Sequence, residues 1–82
     1  MIKIKLTNRG FARGEFKDRY GAACSIQKSS LADEECIWLG CEHETIHEVT
    51  KEPCGARMHL TRQMAADIVM HLQRFIETGD IQ

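Results

Sequence analysis

At 82 residues the chain has room for one domain with a small core, and 43% hydrophobic with 28% charged residues is the balance of an ordinary globular protein. A net charge of −1 argues against a protein built to grip duplex DNA. The opening MIKIKLTNRG alternates apolar and polar residues where a signal peptide or membrane span needs a continuous apolar block, so a cytoplasmic protein with reduced cysteines is expected.

Taken in order, Ile2, Ile4 and Leu6 alternate with Lys3, Lys5 and Thr7 and predict a half-buried strand, closed by the turn signal Asn8-Arg9-Gly10. Phe11 to Asp18 is less regular, with Gly14 interrupting it and Phe16 its best core candidate. Asp18-Arg19-Tyr20-Gly21 suits a tight connection, after which Ala22, Cys24 and Ile26 alternate with polar or small residues as a second hairpin arm. A polar loop from Ser29 leads to Cys36-Ile37-Trp38-Leu39, an apolar run whose length predicts a central strand. Residues 41–55, CEHETIHEVTKEPCG, form a polar, acidic excursion. Arg57 to Leu60 resumes alternation with Met58 and Leu60 inward.

The clearest pattern is C-terminal. With Thr61 as N-cap and Gly79 just past the end, residues 61–78 predict one helix. At about 100° per residue, Met64, Ala65, Ile68, Val69, Leu72, Phe75 and Ile76 fall within an arc of roughly 140°. The expected fold is therefore a single α+β domain spanning 1–82, with a small antiparallel sheet of three to five strands and one amphipathic helix packed on one face. The other face of the sheet is left wet, or pairs with a second copy in a homodimer.

Several groups are candidates for function. Residues 1–30 carry seven Lys/Arg against two acidic residues, and residues 31–56 carry seven acidic residues against one lysine. The two segments either neutralise each other or offer a basic face for a polyanion, with Lys3, Lys5, Arg9 and Arg13 as its cations. Cys41, His43, His47 and Cys54 supply two thiols and two imidazoles, enough for a tetrahedral structural zinc, although their spacing lacks a Cys-x₂-Cys knuckle and an unliganded loop fits equally. Cys24 and Cys36 sit in apolar surroundings and are expected to pack as small hydrophobes. Gln27, Lys28 and Ser29 gather an amide, a cation and a hydroxyl at a strand end, a grouping suited to a nucleotide-like ligand. Arg57, His59, Met70 and Arg74 are expected to face outward as a partner surface. No Gly-rich phosphate loop, His-Glu-x-x-His helix or Ser/His/Asp signature is present, so no enzyme, catalytic residue or cofactor is expected.

Four blocks, FKDRYGAACSIQKSSL (16–31), CIWLG (36–40), RMHLT (57–61) and HLQRFIETGDI (71–81), stand in an order that resembles a family of short proteins of tailed bacteriophages and prophages. In similar proteins the stretch between IWLG and RMHLT varies in length and content, which implies that 41–55 is an embellishment. The resemblance implies a phage-borne accessory protein made in the bacterial host's cytoplasm. Its expected mode is stoichiometric binding that inhibits or titrates a host protein, such as a defence component, or a nucleotide-like signal. The alternatives are a nucleic-acid-binding accessory protein and a zinc-stabilised interaction module.

Overall fold

The computed structural model of the chain describes residues 2–43, 45–46, 51, 53–55 and 57–82. Four strands, β1 (Ile4–Leu6), β2 (Ala12–Lys17), β3 (Ala23–Lys28) and β4 (Ile37–Cys41), form one antiparallel sheet in the order β1-β2-β3-β4. Sequence neighbours are also sheet neighbours, as short connections require. Two further short strands, β5 (Thr45–Ile46) and β6 (Pro53–Gly55), pair with each other outside this sheet. One helix, α1 (Arg62–Thr78), completes the α+β fold expected from the sequence.

The helix ends where local chemistry ends it. The Thr61 hydroxyl accepts the Met64 N–H at 3.2 Å, satisfying one of the orphan donors of the first turn. Gly79 takes φ +79°, a left-handed conformation that disfavours a Cβ, and its N–H closes on the Phe75 carbonyl at 2.7 Å. Beyond this cap the chain turns inward, and Ile81 is buried.

Alternation decides which side of the sheet the helix covers. Ile2, Ala12 and Ile26 form the core with Ile68 of the helix and Ile81 of the tail, and Ile4, Phe16, Ile37, Leu60, Leu72 and Phe75 pack against them. Gly14 sits in the middle of this face, paired with Ile4 on one side and Ile26 on the other. A Cβ at Gly14 would lie 2.6 Å from Ile2 Cγ2 and 2.7 Å from Ile4 Cδ1, so the glycine that interrupts the sequence pattern is what lets two isoleucines close over β2. Gly14→Ala is therefore expected to cost about 2 kcal/mol through overpacking, read as a fall in Tm on the order of 10 °C.

Two expectations are corrected. β4 is an edge strand, not a central one: among the described residues it pairs only with β3, and Trp38 is 65% exposed. The apolar stripe of α1 is also wider than the sheet can cover. Ile68 is buried and Met64, Ala65, Leu72 and Phe75 are half-buried, but Val69 and Ile76, at one flank of the arc, remain exposed. Among the described residues no helix is long and apolar enough to cross a membrane.

Candidate ligand site on the open face of the sheet

The face turned away from α1 is built by the opposite parity of each strand. Register places Lys5, Arg13, Gln27 and Trp38 side by side, one from each of the four strands, as a row across the whole sheet. The next row contains Glu15, Ser25 and Gly40. Lys17 and Ala23 follow, and Glu42 stands opposite Ala23, donating its N–H to the Ala23 carbonyl at 2.8 Å.

Arg13 ties these rows together. Its Nη1 donates to Gln27 Oε1, its Nη2 to Glu42 Oε1 at 2.6 Å, and its Nε to Glu15 Oε1 at 3.2 Å. The guanidinium thus uses its planar fork on three strand-borne or strand-end acceptors and fixes them relative to one another. Ser25, buried beneath, hydrogen-bonds Glu42. That bond, together with the Arg13 charge, holds the Glu42 carboxyl below the ordinary carboxylate range against the opposing effect of partial burial. Glu42 is accordingly an ionised acceptor, not a proton donor.

Gly40 leaves the middle of this frame empty. The result is a cleft of about 280 Å³ lined by Arg13, Ser25, Gln27, Trp38, Gly40 and Glu42 among others. On the far side of Gln27 and Trp38 a second hollow, about 410 Å³, is lined by Arg9, Phe11, Lys28 and Ser30. A third, about 530 Å³, is lined by Lys3, Lys5, Thr7 and Arg13. The exposed indole of Trp38 borders the first two hollows and Arg13 the first and third. One continuous surface therefore offers an aromatic plane, an amide with both donor and acceptor, a carboxylate acceptor, and a rim of cations.

The residues singled out from the sequence fall in different places. Gln27, Lys5 and Arg13 share one row, Lys3 and Arg9 lie at its rim, and Lys28 lines the neighbouring hollow, so two separate expectations meet on one face. The Arg9 guanidinium rests 5.8 Å from the centre of the Phe11 ring. Ser29 is buried, and its hydroxyl accepts the Leu31 N–H at 3.2 Å, which makes it a turn residue. Arg57 and His59 are both exposed, as expected, and the His59 ring packs edge-on against Tyr20 at 4.6 Å between ring centroids. Met70 projects from α1 to solvent, and Arg74 donates from Nε to the Gln82 carbonyl at 2.9 Å, pinning the tail. These helix residues lie across the sheet from the cleft.

Of the four proposed zinc ligands, His47 and the Cys54 side chain lie outside the described residues, and His43 is exposed. Cys41 faces a partner of another kind: its Sγ is 3.5 Å from Cys24 Sγ. Asp18 brings a carboxylate oxygen within 4.8 Å of both sulfurs, but its two oxygens already accept three backbone N–H bonds, from Tyr20, Ala22 and His59.

Trp38, Ser25, Gly40 and Glu42 were not among the expected site residues. The signal for Trp38 was parity: Ile37, Leu39 and Cys41 share one side of β4, so Trp38 and Gly40 must share the other. No protein-family model, curated protein or solved structure matches the chain.

Proposed function

We propose that the chain binds a nucleotide-like ligand stoichiometrically on the open face of its sheet and does not transform it. The row Lys5–Arg13–Gln27–Trp38 carries this reading. A nucleobase is planar and presents donors and acceptors along one edge. Trp38 supplies the plane, Gln27 and Glu42 read the edge, and the phosphate reaches Lys3, Lys5 or Arg9. The polar groups of the cleft are satisfied by one another, a preformed frame suited to holding a ligand. In the setting implied by the resemblance to phage proteins, such a protein titrates a nucleotide signal of the host.

Trp38 is the only tryptophan, so its fluorescence reports directly on the face. Titration with nucleoside mono- and diphosphates and cyclic nucleotides is expected to quench it saturably. Trp38→Ala should weaken binding about 10-fold or more without lowering Tm, since base stacking on an aromatic contributes about 1–3 kcal/mol, and Trp38→Phe should retain most of the affinity. No fluorescence change and no heat across that panel would remove the proposal. A tighter, salt-steep affinity for single-stranded oligonucleotides would reassign the face to nucleic acid.

A further inference from the structure

We infer that Cys24 and Cys41 form an oxidisable dithiol, a site at which a peroxide closes a disulfide between β3 and β4. The two residues are direct partners in the antiparallel ladder. Because Glu42 donates its N–H to the Ala23 carbonyl, Ala23 and Glu42 are a hydrogen-bonded pair, and the next pair inward, Cys24 and Cys41, falls between hydrogen bonds. That is the position where facing side chains come closest, with Cα atoms about 4.5 Å apart, inside the range a disulfide spans. Both cysteines are unbridged in this structure, and their sulfurs are 3.5 Å apart and already in contact.

The two thiols have different roles. Cys24 is 1% exposed and its thiol is pushed up to about 12 by burial and by the neighbouring Cys41, so it is not the first to react. Cys41 is half-buried at the end of the edge strand β4 and is the more accessible of the two, so a small oxidant reaches it first. The Cys41 thiolate attacks one peroxide oxygen, the O–O bond breaks, and hydroxide leaves and takes up a proton as water. The Cys24 sulfur then attacks the Cys41 sulfenic sulfur, the S–O bond breaks, and the departing hydroxide takes the Cys24 proton. Two thiols and one hydrogen peroxide become one disulfide and two waters.

The bond would clamp the edge strand that carries Trp38, Gly40 and Glu42 to the centre of the sheet, whatever the open face binds. The closed loop joins residues 17 apart, and such a constraint on the unfolded chain is expected to raise Tm by about 10 °C. The test is treatment of the folded full chain with hydrogen peroxide, alkylation of remaining thiols, and digestion with trypsin and chymotrypsin, the latter separating Cys36 from Cys41 by cutting at Trp38. A linked Cys24–Cys41 peptide two mass units lighter than its thiols, abolished by dithiothreitol and absent in Cys41→Ser, supports the inference. In Cys24→Ser the Cys41 sulfenic acid should persist and be trapped by dimedone. Oxidation that links other cysteines while Cys24 and Cys41 are both recovered alkylated would overturn it.

Discussion

Replacing Asp18 by alanine is expected to lower the stability of the domain by about 3 kcal/mol, a fall in Tm on the order of 15 °C. Asp18 is buried at the end of β2, and its carboxylate accepts three backbone N–H bonds: Tyr20 at 2.9 Å and Ala22 at 3.0 Å on Oδ1, and His59 at 2.9 Å on Oδ2. The first two shape the β2–β3 turn. The third, with the Arg19 N–H donating to the His59 carbonyl at 2.8 Å, stitches that turn to the segment that leads into α1. Alanine would leave these three part-buried donors without their acceptor. A domain of this length has only about 4–12 kcal/mol of total stability, so the loss is a large share of it. Asn, with one acceptor oxygen, should keep either the turn or the stitch and lose an intermediate amount.

The same carboxylate gives a pH signature with a definite sign. Burial alone would raise its pKa, but the bonds from His59, Ala22 and Tyr20 outweigh burial and hold it below the ordinary value of 3.8. A group whose folded pKa is depressed contributes its stability above the unfolded value and loses it as pH falls through the folded one. Urea midpoints of the wild type and Asp18→Asn should therefore differ by a constant amount above the unfolded carboxyl pKa, about pH 4, and converge on acidification below it. Parallel curves down to the acid transition would mean that the charge on Asp18 is not what the three N–H groups hold.

Asp18 also shows why part of the molecule was legible in the sequence and part was not. The turn after it was readable, because turn chemistry is local. Its bond to His59 spans 41 residues and needs the tertiary fold. The strands β1 and β3 and the helix announced themselves by period, and the α+β class followed from them. β4 did not, because Ile37, Trp38 and Leu39 form an unbroken apolar run in which the period of two is invisible. Reading that run as a central strand left open which face carries Trp38. The cleft was hidden for the same reason as the Asp18–His59 bond: Arg13 and Glu42 are 29 residues apart and meet only once strand order and register are set. Ile81 lies past the helix cap, where no periodicity marks it as core. What sequence could offer toward the site was the list of cations and Gln27, and the sheet turned that list into a row.

Gly40→Val is expected to abolish ligand binding on the open face, a loss of at least about 100-fold, while leaving the fold as stable as before or raising its stability by about 1 kcal/mol. The two halves of this expectation come from one observation. A Cβ built at Gly40 meets nothing within 4 Å, so a side chain there has room, and Gly40 is not among the glycines with positive φ, so an extended, β-branched residue suits its backbone. Glycine inside a strand is a poor choice for stability, since it loses the most backbone freedom on folding and packs nothing against its neighbours. At this position it forms part of the lining of the cleft of about 280 Å³ between Trp38, Arg13 and Glu42. Valine would occupy the space where a base would lie against Trp38. Calorimetric titration with the best nucleotide of the panel, alongside thermal melts, separates the possibilities. Lost binding with an undiminished Tm places the ligand over Gly40. Retained binding would move it to one of the two neighbouring hollows, and a lower Tm would mean that the strand needs the glycine for its own packing.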